Sequence, residues 1–443
     1  MTHLRVAAMM PQESKHGCKA RVGLLADGFM EWAGGIDFLR MVADSLRALE
    51  NDDLELVLFV PRVSAKAAIR RTLSPWYRWL RRRYDGWSFA GLQRALVEGR
   101  SERSFEAQVD RLRDTLGQDI AVEFFQDDSE LARAAKTRRI DCLLPSFHPL
   151  SKCVEVPWIG YIFDFQHRRL PDFFSPEERA HRDEQFAAMA RATNYVIVNS
   201  RDARRDCLRY LGTLGAGFVA LPFGAAPKPE WLEERGALRL KYGLPLRYFL
   251  VSNQFWIHKN HKIVFEALRV LRELPDTDNL GVVCTGSLSD PRAPFYYPSL
   301  LRYIEDNALS EQVRILGLIP KRDQIEVMKS ALGVVQPTLF EGGPGGGSVY
   351  DAISLGVPAL VSDIPINREL ERESTPLQYF NPHDPRELAC AMQVRASASP
   401  IQQDASVLLA LGRIRARRVG AVLMATIERA ITNRDTRGHR TRD

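Results

Sequence analysis

The sequence predicts an α/β protein built as two doubly wound, parallel-sheet domains in tandem. Three observations carry that prediction. Short apolar runs of strand character alternate with longer runs of helical spacing along most of the 443 residues. The alternation breaks at LPFGAAPKPEWLEERG, where Pro222, Pro227 and Pro229 interrupt any regular element, and then restarts. The restarted half holds FEGGPGGGSVYDAISLGVP, Phe340 to Pro358, a glycine-rich loop between a strand and a short helix.

In the first half, RVGLLA (Arg21 to Ala26) reads as a buried strand. A loop with Gly28, Gly34 and Gly35 follows, then a helix from about Ile36 to Leu49. Further strands are expected at Leu54 to Val60, Ala121 to Phe125, Asp141 to Ser146, within PWIGYIFDFQH, and at Asn194 to Ser200, where Ser200 caps a helix. In the second half, strands are expected at Arg247 to Phe255, Leu280 to Ser287, Val313 to Gly317, Gly333 to Phe340 and Pro358 to Asp363. Helices from about Asn260 to Leu274 and Gln324 to Ala331 lie between them. The resulting division is a flexible start (1–20), a first Rossmann-like domain (21–225), a linker (226–246), a second such domain (247–405), a closing helix (406–432) and a disordered polar tail (433–443).

Composition narrows the class. With 45% hydrophobic and 26% charged residues the chain suits a two-domain α/β enzyme. Six scattered cysteines give neither a disulfide framework nor zinc spacing. The start lacks the apolar core of a secretory signal, and no apolar run is long enough to span a bilayer, so a cytoplasmic protein is expected. The net charge of +6 is concentrated between Pro61 and Arg113, most densely in SPWYRWLRRRYDGWSF, Ser74 to Phe89. There Trp76 and Trp79 stand beside Arg81, Arg82 and Arg83, a mixture suited to an anionic membrane surface; a solvated helix hairpin with its aromatics inside is the alternative. No nucleic-acid recognition motif accompanies it, so nucleic acid is not expected as a partner.

Chemistry concentrates at three places. Gly342, Gly343, Gly345, Gly346 and Gly347 with Ser348 form a loop whose amides and following helix dipole suit a phosphate or a sugar. Within it Ser348-Val349-Tyr350-Asp351 also fits a capping box, so Asp351 serves either a ligand or its helix. NQFWIHKNH (Asn253 to His261) places Asn253, Gln254 and Lys259 after the first strand of the second half, with Lys259 a cation for a diphosphate. His258 and His261 lack a third ligand in sequence, so no metal is expected. DFQH (Asp164 to His167) ends a first-domain strand; His167 either orients a hydroxyl in the cleft or is a buried, hydrogen-bonded imidazole. Asp276-Thr277-Asp278 is a D-x-D before a strand, on the face opposite the cleft, and reads as a turn.

PTLFEGG with DAISLGVPALVSD resembles the C-terminal signature of family 4 (group 1) glycosyltransferases, whose usual form is E-G-F-G-L-x-x-x-E-A-x-x-x-G-x-P-V-V. PWIGYIFDFQHRRLPDFFS resembles loops of a bacterial polysaccharide, O-antigen-type subgroup. The resemblance covers roughly Arg21 to Asn381 and is more specific in the second half. It implies the GT-B fold and a retaining, metal-independent transfer of a sugar from a nucleotide diphosphate sugar to a saccharide or lipid-linked glycan. Glu341 would contact the transferred sugar, Asp351 the ribose, Lys259 the diphosphate, and the loop amides the sugar phosphate, with His167 orienting the acceptor. Two departures stand out: nine residues separate Glu341 from Asp351 instead of seven, and the arginine that usually precedes the lysine is absent, leaving Arg322 as one substitute. An epimerase or phosphorylase on the same fold, or a degenerate sugar-nucleotide binder, are the alternatives; an oxidoreductase lacks its G-x-G-x-x-G.

Overall fold

A computed structural model describes residues 20–30, 33–51, 54–62, 105–233, 238–275, 277, 279–290, 292–371, 375–399 and 403–440. The basic aromatic stretch Ser74 to Phe89, and Asp276 and Asp278 of the D-x-D, lie outside them.

Two parallel sheets form the frame. The first contains β1 (Ala20–Leu25), β2 (Leu54–Pro61), β3 (Ala121–Phe125), β4 (Cys142–Ser146), β5 (Trp158–Tyr161), β6 (Tyr195–Val198) and β7 (Gly217–Ala220) in the order β3-β2-β1-β4-β5-β6-β7. The second contains β8 (Arg247–Ser252), β9 (Leu280–Thr285), β10 (Val313–Gly317), β11 (Gly333–Gln336), β12 (Ala359–Ser362) and β13 (Leu377–Phe380) in the order β10-β9-β8-β11-β12-β13. Strands such as CLLPS, LGVVCT and ALVS are buried along their whole length, because helices cover both faces of each sheet. In each sheet the winding reverses beside its first strand, between β1 and β4 and between β8 and β11. The loops diverge at such a point, and ligands of doubly wound sheets bind there.

Three expectations are corrected here. The first helix is Ala33–Arg47, so Gly34 and Gly35 form its opening turn instead of a loop. The closing helix runs from Ala405 to Arg440 and so takes in most of the range expected as a polar tail. That helix returns to the first domain: Val419, Leu423, Ile427 and Ala430 recur on one face and are buried with Leu39, Val42, Ala43 and Leu46 of Ala33–Arg47. The linker also contains regular turns, Pro229–Trp231 and Arg239–Tyr242, with Trp231 buried in the second domain.

The domains are also tied by an exchanged cap. Ser200 accepts from the backbone amide of Ala203 at 2.9 Å, as a cap of Arg201–Leu211 should. Glu369, from the second domain, supplies the rest, accepting from the amides of Arg201 at 2.8 Å and Asp202 at 2.7 Å. Its carboxylate also meets the positive end of the helix dipole. Glu369→Ala is expected to cost about 1 kcal/mol, as loss of a cap does. Thermal unfolding beside Ser200→Ala checks this, and an unchanged midpoint in Glu369→Ala would remove the tie.

Candidate active site

The site is organised by Gln336, the polar end of the otherwise apolar β11 and fully buried. Its amide oxygen accepts from Asn253 Nδ2, on the loop after β8. Its amide nitrogen donates to Glu341 Oε1 at 2.8 Å and to the carbonyl of Gly345 at 2.8 Å. Lys259 closes the group with an ion pair to the same Glu341 oxygen; the two side chains are only 12% and 9% exposed. Carboxylate, lysine and glycine loop are therefore fixed together at the reversal point of the second sheet.

The glycines answer to close neighbours, several of them within the protein. Gly345 and Gly346 adopt φ of +70° and +65°, a left-handed pair that turns the chain into the helix Gly346–Ser354. A Cβ on Gly346 would stand 3.0 Å from Gln336 and Glu341, and one on Gly342 would stand 2.9 Å from the carbonyl of Phe163 in the first domain. Around Gly347 there is open space. Asn367 secures the turn, accepting from the Gly345 amide at 2.8 Å.

The helix thus opens before Ser348, so the capping box is absent. Ser348 Oγ is buried with no hydrogen-bond partner, and Asp351 pairs instead with Lys321 at 2.5 Å. Burial pushes the Asp351 carboxyl up, against the pull of Lys321. Lys259 lies in the turn Ile257–Lys259, one residue ahead of the helix His261–Leu271, with Asn260 left-handed between them. Arg322 is exposed.

From the first domain, Asp164 faces the pair. Its carboxyl is pushed up by burial and by Glu341, while Arg182 and Lys259 pull it down. The backbone amide of Gln166 donates to it at 2.9 Å. Sequence reasoning named DFQH for its histidine and missed this aspartate. His167 itself is fully buried, Nε2 bonded to Asp183 at 3.0 Å and the ring packed on Phe165 and Phe186. It is the buried, hydrogen-bonded imidazole of the two readings, and burial holds its pKa below the usual histidine value. Beside Glu341 a cavity of about 200 Å³ opens between the domains, walled by Arg169 and Asp202 on one side and Phe340 and Ile366 on the other.

Residues 241–393, within the second half of the chain, match the family model described as "Glycosyl transferases group 1". No curated protein matches the chain in sequence. Among solved structures, Anabaena HepE in complex with UDP and glucose is similar over 94% of this chain and 98% of its own, at 14% identity and a TM-score of 0.56. Sucrose-phosphate synthase of Thermosynechococcus elongatus covers 95% and 98% at 15% identity and a TM-score of 0.54. A glycosyltransferase of Rickettsia africae covers 94% of each chain at 12% identity and a TM-score of 0.52. The fold is GT-B, two Rossmann-like domains.

The site's histidines carry a measurable signature. Burial, then the charge of Lys259, pushes His258 down to about 2 and His261 to about 3. Folded values below the unfolded 6.5 mean that stability is present above pH 6.5 and is lost as pH falls through it toward 3. Replacing His261, stacked on Phe255 at 4.1 Å, by phenylalanine should flatten the acid limb by up to about 1.4 kcal/mol per pH unit. Denaturation midpoints between pH 7 and pH 5 measure this, and parallel wild-type and His261→Phe curves would contradict it.

Proposed function

We propose that the chain moves a sugar from a nucleotide diphosphate sugar to a hydroxyl of a saccharide or lipid-linked glycan, with retention and without a metal. One observation carries the reading: a buried lysine–carboxylate pair tied through Gln336 to a glycine loop that opens a helix, at the reversal point of the second sheet. The similarity to HepE, solved with UDP and glucose, supports a nucleotide-sugar donor.

The difficult step is departure of the nucleotide diphosphate. As the C1–O bond to phosphate breaks, negative charge grows on the leaving oxygen. Lys259, the amides around Gly347 and the dipole of Gly346–Ser354 stabilise it. When the donor binds, Lys259 exchanges its carboxylate partner for phosphate, and Glu341 turns to a sugar hydroxyl. The acceptor oxygen bonds to C1 on the face the diphosphate leaves, and the departing phosphate oxygen takes the acceptor proton. Asp164, across the cleft, orients the acceptor hydroxyl. Asp351, held by Lys321, stands for the family's second carboxylate at the ribose. We place the activity in bacterial polysaccharide or lipopolysaccharide synthesis, at the inner face of the membrane.

Thermal shifts with UDP, GDP, dTDP, ADP and their common sugars, without metal, test the donor site: one base should stabilise the wild type and not Lys259→Ala. Lys259→Ala should lower turnover on the order of a hundredfold, as loss of one charge-stabilising donor does. Lys259→Ala with Glu341→Gln controls for the stranded carboxylate. Turnover within threefold of wild type, or strict dependence on Mg²⁺ or Mn²⁺, would refute the mechanism. For membrane attachment, replacing Arg81, Arg82 and Arg83 by serine should abolish co-sedimentation with anionic liposomes; retained binding would refute it.

A further inference from the structure

The cleft holds two guanidinium groups for which the donor reading has no use. Arg182 comes from the first-domain helix Pro176–Ala192, and Arg292 from the loop after β9. Both lie against one ring: their guanidinium carbons are 4.7 Å and 5.4 Å from the centre of Phe174. Arg182 also covers Phe163 and Arg292 covers Trp256, each at 5.3 Å. Aromatic faces hold a guanidinium by its plane and leave its N–H edge for a ligand.

The pair is built, and its hydrogen-bonding capacity is only partly used. Asp290, its side chain 1% exposed, accepts from the Arg292 backbone amide at 3.0 Å and from its Nε at 3.3 Å, which sets the arginine in place. Arg292 Nη1 reaches Gln166 Oε1 in the other domain at 3.4 Å. Arg182 is paired with Asp164, 3.8 Å away and too far for a hydrogen bond, with Glu178 of its own helix as a second acidic neighbour, and its Nη1 is buried without a hydrogen-bond partner. Glu341 is occupied by Lys259, and Asp290 also accepts from the backbone amide of Ile257 at 3.3 Å. Arg292 disfavours the charge of Arg182, yet 29% and 27% of their side chains face solvent. An anion between them would relieve the repulsion and complete both forks.

We propose that Arg182 and Arg292 form a clamp, one jaw on each domain, for a phosphate or carboxylate group carried by the saccharide acceptor. The proposal rests on the transferase reading and narrows it from saccharides in general to acidic ones. Because each domain contributes one jaw, an acidic acceptor also favours the closed arrangement in which the glycine loop meets Phe163.

Calorimetric titration of the full-length protein with glucose 6-phosphate, glucuronate and glucose tests the clamp. At least one acidic sugar should bind and glucose should not. The better of phosphate and carboxylate identifies the natural group. Arg182→Gln and Arg292→Gln should each weaken that binding about tenfold, the loss of one charge-assisted contact, while binding of the nucleoside diphosphate that stabilises the wild type is unchanged and shows each variant folded. Arg182→Lys and Arg292→Lys should keep part of the affinity, having charge without the fork. Equal affinity for glucose, no binding of either acidic sugar up to about 10 mM, or unaltered binding in both glutamine variants would overturn the proposal. A parallel loss of binding of that nucleoside diphosphate would assign the arginines to the donor and overturn it as well. If the wild type binds an acidic sugar but no nucleotide, the transferase reading fails while the clamp stands.

Discussion

The site depends on one buried ion pair. Lys259 and Glu341 come from loops on either side of the reversal in the second sheet, more than eighty positions apart in sequence. Desolvating both is costly, and the cost is offset because Gln336 bonds the same carboxylate oxygen and the Gly345 carbonyl together. Fixing that carboxylate leaves no volume beside it for a side chain on Gly346. The left-handed turn, and therefore the place where the following helix begins, follow from the pair. Its partners across the cleft gain meaning from it too, since Asp164 is raised by burial and by the charge of Glu341.

Most of the frame was legible in the sequence because parallel strands buried on both faces must be apolar throughout. RVGLL, LGVVCT and ALVS leave little choice. What was lost was lost to local signals overruled by packing. Ser348 and Asp351 have the spacing of a capping box, but consecutive left-handed glycines start the helix sooner. Gly34 and Gly35 suggested a loop, although the apolar face beginning at Ile36 is long enough to carry them in a helix packed under the closing one. The polar run after Asn433 lacks apolar residues, yet it extends a helix already anchored by Leu423 and Ile427.

The site itself was legible only where its residues are close in sequence. The glycine loop, Glu341 and Lys259 could be found by spacing and type. Gln336 left one signal, a polar residue ending an apolar strand. Arg182 and Arg292 left none, since an arginine in a polar helix and another in a loop are ordinary until folding sets them on the same phenylalanine. His167 shows the opposite case: its place at the end of a first-domain strand, facing the cleft, suggested chemistry, but the aromatic cluster of Phe165, Phe174 and Phe186 claims the ring for the core.

The chain crosses between the domains twice, once outward near Ala225 and once back at the start of the closing helix. The crossings touch: buried Arg415 of the returning helix donates to the carbonyl of Ala225 on the outgoing segment at 3.3 Å, and its Nε holds Glu371 at 2.8 Å. Two covalent strands bound side by side act as the spine of a book. The covers can swing about that line, but they cannot slide or separate, and atoms travel further the further they lie from the spine. Opening therefore needs no unfolding at the spine, and on closing the same facing pages return to register.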